Sequence, residues 1–131
     1  MQTTLSVESR AHNDWIDITR DVQNWLSGLK VGTGVITVFV PHTTAGVTIQ
    51  ENADPPLKHD ISQALERLFP WRGNYGHCED NAAAHMKAVF TGASVSIPVA
   101  DSRLALGRWQ GVYLCEFDGP RRRQVVVTAH Q

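Results

Sequence analysis

Net charge is the scarcest thing in this sequence: 12 Lys and Arg side chains against 13 Asp and Glu leave a formal −1 at pH 7. A balance that close argues against the broad basic footprint that nucleic-acid binding needs. Long apolar runs are lacking too. No stretch approaches the roughly 18–20 continuous apolar residues of a membrane span, and the opening MQTTLSVESR lacks the basic-then-apolar order of a secretory leader. A soluble, cytoplasmic protein with no membrane partner is therefore expected. Cysteine is rare as well: Cys78 and Cys115 are the two thiols, far apart and without CxxC or metal-finger spacing. That pattern fits reduced cytosolic cysteines better than a disulfide. There is no internal repeat, linker or low-complexity tract.

What is present is enough apolar material, 42% of 131 residues, for a single domain over residues 1–131 that buries roughly two-thirds of its unfolded surface. Residues 4–9 have β character. Asp17 and Thr19 offer caps for a helix in which Val22, Trp25, Leu26 and Leu29 recur at helical spacing. A β-rich run over 31–40 is broken by Pro41, and β character resumes at 46–49. Asp54-Pro55-Pro56 reads as a helix start, followed by an apolar stripe of Leu57, Ile61, Ala64, Leu65 and Leu68 that Pro70 terminates. Residues 71–77 form an irregular loop, and Asp80 or Asn81 caps a short Ala-rich helix to about Phe90. Strands follow at 95–98, 104–106, 112–117 and 125–129, with Asp118-Gly119-Pro120 predicting a hairpin between the last two. Strand-rich ends around central helices predict an α+β fold, a mostly antiparallel sheet with two or three helices packed on it.

The stretch VPHTTAGV at 40–47 places a histidine and two hydroxyls between β-formers, where a bare connection would use Gly, Asn or Asp. His42, His77 and His85 come from three different elements, and each lies in a polar motif between apolar or small-residue structure. Three imidazoles could hold a divalent ion with one position open for water or substrate; they could equally serve as acid–base or hydrogen-bonding groups, or as structural residues. Thr43 and Thr44 can donate to an anionic oxygen or bond to their own turn. Asn52, after Glu51, either faces the same cleft or leads into the helix cap. In VYLCEF, alternation puts Glu116 on the face of Val112 and Leu114, where a carboxylate needs a cation, a donor or water. A metal, an arginine from 121–123, or a retained proton would each serve. Gln110 can point an amide into a pocket. Alternation also splits Arg121-Arg122-Arg123, so the tract is either a solvated strand end or a source of one or two phosphate-binding side chains.

Together, HTTAGVTIQENADP at 42–55, HCEDNAAAHMKA at 77–88 and GRWQGVYLCEFDGPR at 107–121 resemble the YjbQ family over nearly the whole chain. His42, His77 and His85 match that family's histidines, Asn52 and Asp54 its NADP block, Gln110 its WQG and Glu116 its CEFDG. The resemblance implies an α+β fold assembled as a homotrimer, with polar motifs near subunit contacts. It also implies a secondary thiamine-phosphate synthase activity that joins a pyrimidine pyrophosphate to a thiazole phosphate. One departure is local: EDNAAAH stands where many members carry a fuller acidic cluster, which weakens any Mg²⁺–pyrophosphate site.

The reading reached from the sequence is an enzyme for a small phosphorylated molecule. His42, His77, His85 and Glu116 are its candidate catalytic residues, and the three histidines are also candidate ligands for Zn or Mg. Thr43, Thr44, Asn52, Gln110 and Arg121 are candidate substrate contacts. A trimeric metal- or small-molecule-binding module without turnover is the alternative.

Overall fold

The structure is a computed structural model that describes residues 1–77 and 80–131. Its elements run β1 (Gln2–Glu8), β2 (Asp14–Asp17), α1 (Thr19–Ser27), β3 (Thr33–Phe39), β4 (Ala45–Glu51), α2 (Pro55–Leu68), α3 (Ala82–Thr91), β5 (Ser94–Ala100), β6 (Arg103–Leu104), β7 (Gln110–Glu116) and β8 (Arg122–His130). Every described strand pairing is antiparallel. The strands divide between two sheets, ordered β1-β8-β3-β5-β6 and β2-β7-β4. The α+β expectation holds, with two sheets where one had been expected.

Alternating apolar residues explain how the sheets face each other. Ile36 and Val38 of β3, Ile97 and Val99 of β5, and Val125 and Val127 of β8 meet Ala45 and Val47 of β4 and Val112 and Leu114 of β7 in one core. Val22 and Leu26 of α1, both without solvent exposure, close one end of that core, as their helical spacing predicts. At the start of α1, Asp17 Oδ1 accepts the Thr19 N–H at 2.9 Å and Thr19 Oγ1 accepts the Val112 N–H at 2.8 Å.

The other face of β7 is also covered. Tyr113, Cys115 and the following Phe117 pack against Ala84 and Ala88 of α3, with Leu65 of α2 and Trp71 at the margin. A strand buried on both faces reads as a continuous apolar run rather than an alternation, which accounts for VYLCEF. Cys115 is a free, buried thiol that burial pushes up to a pKa of about 12, so it is protonated and inert at neutral pH. Cys78 lies outside the described residues.

Three expectations need correction. The hairpin between β7 and β8 does not form: β7 lies between β2 and β4, β8 between β1 and β3. The backbone bonds of the intervening turn go elsewhere. Gly119 N–H donates to His12 O at 3.0 Å and Ser9 N–H to Arg121 O at 2.9 Å, so the turn is fastened to residues 9–12 and carries the chain from one sheet to the other. Strand β2 was not anticipated; its four residues DWID are too few to show a period. Finally, α2 starts at Asp54-Pro55-Pro56 and ends before Pro70 as expected, yet none of its residues is fully buried. Asp54 and Asn81 occupy the N-cap positions of α2 and α3 without a side-chain capping bond.

None of the described helices is long and apolar enough to cross a membrane.

The approach of α3 to β4 is tight at Gly46. A Cβ there would lie 2.6 Å from Gly92 O and 3.0 Å from Thr91 Cγ2, a backbone obstacle that no rotamer change relieves. Gly46→Ala is expected to destabilise the fold by about 1–3 kcal/mol through overpacking, read as a lower denaturation midpoint in urea at unchanged slope.

Candidate functional site

The HTTAG segment connects β3 to β4, and the loop at 117–121 connects β7 to β8. Both end beside the start of α3. Pro41, His42, Thr43, Thr44, Asn81, His85, Asp118, Arg121 and Arg123 line the resulting hollow of about 330 Å³.

Its floor is an ion pair. Arg123 and Glu116 have side chains 5% and 0% exposed; Arg123 Nε donates to Glu116 Oε1 at 2.8 Å and Arg123 Nη2 donates to Glu116 Oε2. Ser9 Oγ donates to Glu116 Oε1 at 2.7 Å, and the Asp118 N–H donates to Oε2 at 3.1 Å. Of the partners open to Glu116 on sequence grounds, the structure supplies the arginine. Burial alone would raise the Glu116 pKa, but the bonds from Arg123, Ser9 and Asp118 together with the Arg123 charge hold it below the ordinary 4.5. Glu116 therefore fixes Arg123 in place, and its oxygens are filled by protein donors. Arg123 Nη2 also donates to Thr44 Oγ1 at 2.8 Å, so the buried Thr44 hydroxyl serves the floor rather than the opening.

The walls present donors. Thr43 is exposed. Arg121 Nε donates to Asp118 O at 2.7 Å and Nη2 to Asp118 Oδ2 at 3.0 Å, while its side chain stays 53% exposed. The same Asp118 oxygen accepts from Asn81 Nδ2 at 2.9 Å. Asn81 Oδ1 is buried and has no hydrogen-bond partner.

His42 Nε2 accepts the Gln124 N–H at 2.9 Å. Only the neutral ring can do so, and its proton is then on Nδ1. Burial lowers the His42 pKa below 6.5, and the Arg123 and Arg121 charges push the same way, against Glu116. His42 is thus a neutral hydrogen-bond donor at pH 7.

The three histidines come together in part. His42 and His85 border the hollow. His77 lines a separate cavity with Trp71, Arg72 and Tyr75, and its ring meets that of His85 edge-on, with centroids 4.8 Å apart. The Nε2 lone pair of His42 is engaged by Gln124, and among the described residues no group of three or more His, Cys, Asp or Glu could hold a metal ion.

Asn52 and Gln110 are not brought to the hollow. The β4–β7 ladder pairs Ala45 with Glu116 and Glu51 with Gln110, which puts the two amides at the far end, about 20 Å away at the rise of a strand. There Gln110 Oε1 accepts the Gly107 N–H at 2.8 Å and Asn52 Nδ2 donates to Gln110 O at 3.2 Å. These bonds shape the turn before β7.

A family model described as UPF0047 protein YjbQ-like matches residues 3–131. The chain belongs to this family. It is 45% identical over 124 residues to the UPF0047 protein YugU of Bacillus subtilis, covering 94% of each chain. Identity to the UPF0047 protein MJ1081 of Methanocaldococcus jannaschii is 44% over 121 residues, 92% of this chain and 88% of that one. The crystal structure of an uncharacterized yjbq/upf0047 family protein from Clostridium acetobutylicum superposes with a TM-score of 0.95 at 44% identity, covering 98% of this chain and 99% of that one. Membership in the YjbQ-like family and the mostly antiparallel α+β fold agree with the sequence reading.

Two predictions follow from the floor and the wall. Glu116→Ala leaves the Arg123 charge buried without its partner and should cost about 3–5 kcal/mol, measured by chemical denaturation at pH 7. With the folded carboxyl held below 4.5, its stabilising contribution is complete above that value and is lost as pH falls through the lower folded value; Glu116→Gln should lose this part of the acid sensitivity in a pH series of melts. For His42, long-range ¹⁵N–¹H NMR should show the Nδ1–H tautomer and a midpoint below 6.5. A protonated Nε2 at pH 7 would overturn the assignment.

Proposed function

We propose that the protein acts on a small phosphorylated or pyrophosphorylated molecule whose anionic group enters the hollow between His42, Thr43, His85 and Arg121. The observation that carries this reading is the fixed donor character of His42, whose Nδ1–H is set by the Gln124 bond. The exposed Thr43 hydroxyl and Arg121 guanidinium beside it support the same reading. Charge-assisted bonds from Arg and oriented N–H groups suit phosphate oxygens. Arg123 contributes positive potential from below.

The reaction to test first is the secondary thiamine-phosphate synthase activity that the family resemblance implies. In it, the methylene–oxygen bond of the pyrimidine pyrophosphate breaks, pyrophosphate leaves with the electron pair, and the thiazole nitrogen bonds to the methylene carbon. The protein's task would be to stabilise the departing negative charge, which positioned donors do without covalent chemistry. A divalent ion has no assigned place in this reading. Leu68 and Phe90, 62% and 70% exposed, together with an α2 that buries no residue fully, support assembly of copies through this side, in line with the implied homotrimer.

Titration with inorganic phosphate, followed by histidine NMR signals, should give saturable binding that His42→Ala and Arg121→Ala each weaken by about tenfold or more. Product formation from the two precursors, lost in His42→Ala and His85→Ala, would establish turnover. Binding without product would favour the non-catalytic module, and unmoved histidine signals would sink both.

A further inference from the structure

A second hollow of about 450 Å³ adjoins the first and shares His42, Thr43 and His85 with it; its other walls are Ala45, Ala88, Val89, Gly92 and Ala93. None of these five brings a polar side chain. The shared residues therefore stand at a boundary, with Arg121, Asp118 and Asn81 on one side and methyl or methylene surface on the other. Alanine or glycine stands at four of the five positions, so little side-chain volume occupies the hollow. Ala45 is 1% and Ala88 9% exposed, so they back the hollow, and the apolar surface open to a ligand comes from Val89, 82% exposed, and from the exposed Ala93.

We infer that the ligand of the anion site, on the reading proposed above, is amphiphilic: a phosphate or pyrophosphate ester whose apolar or aromatic group lies against Val89 and Ala93, with Ala88 behind them. A free inorganic anion would use only the polar one of the two hollows. A sugar phosphate would bring hydroxyls to a wall without partners, and stranding a polar group there is costly. An apolar group joined directly to the phosphorus-bound oxygen passes His42 and His85 and covers apolar surface on the far side. At about 25 cal/mol per Å², burying some 60 Å² corresponds to roughly tenfold in affinity.

The test compares methyl phosphate with phenyl phosphate, two monoesters of the same charge, by NMR titration of the full-length protein. Phenyl phosphate should bind about tenfold more tightly, and Ala88→Leu, which fills the apolar hollow, should abolish that preference while leaving methyl phosphate affinity unchanged. Because Ala88 also packs against Tyr113 and Cys115, Ala93→Leu at the exposed rim provides a second filling variant that keeps the fold. Equal affinity for the two esters in the wild type, or a preference that survives both fillings, would overturn the inference while leaving the anion site standing. Failure of both esters and of inorganic phosphate to bind would overturn the anion site itself. If Ala93→Leu alters the mass of the assembly in solution instead of the preference, the hollow is occupied by a second copy and the inference falls.

Discussion

The buried pair of Glu116 and Arg123 is the constraint on which the rest of the molecule is arranged. It joins the last residue of β7, in one sheet, to β8, in the other, and it does so where solvent is excluded. A pair in that setting need not add net stability, because removing two charges from water costs about what their attraction returns. What it does is make alternatives expensive. Slipping β8 by one residue would turn Arg123 out, turn Arg122 in, and leave Glu116 facing apolar neighbours without a cation. Ser9 at the end of β1 and Thr44 before β4 complete the arrangement with hydrogen bonds. Four distant segments are thereby fixed around one point, and the candidate hollow opens directly above it.

The double burial of β7 is the second consequence of this layout. With one face on the inter-sheet core and the other under α3, the strand has no solvent side on which to carry a functional group. Polar side chains open to a ligand are left to the ends of the ladder and to the loops, where His42, Thr43, Asp118 and Arg121 are found. Lys87, also buried, bonds to Glu66 Oε2 at 2.6 Å, and Glu66 Oε1 accepts the Trp71 N–H at 3.1 Å. That link holds α3 to the end of α2 and to the loop that precedes His77.

How much of this was readable from residues alone depended on whether the signal was local. Pro55-Pro56, the stripe of α1 and the apolar run of β7 declare themselves within a few positions, and their elements lie where periodicity puts them. Alternation along VYLCEF was also enough to say that Glu116 needed a partner, and the same rule applied to β8 groups Arg123 with Val125 and Val127. The choice among partners was a tertiary matter. Asp118-Gly119-Pro120 misled because a turn motif reports a change of direction and not which strand lies beyond it. Asn52 and Gln110 were grouped with the histidines through neighbouring motifs, although the length of the β4–β7 ladder separates them. Ser9 carries no motif and Asn81 was read only as a helix cap; their roles come from long-range bonds to Glu116 and Asp118.

The hydrogen bond from Gln124 to His42 has one more implication. A side chain whose lone pair is already taken by the main chain of a strand cannot collect a proton from a substrate, however near the two lie. Any reaction at this hollow would therefore need a nucleophile that requires no deprotonation, attacking an electrophilic centre from which the leaving group departs, or some other atom as the Brønsted base. The backbone of β8, through a single amide, limits what His42 could contribute to any reaction.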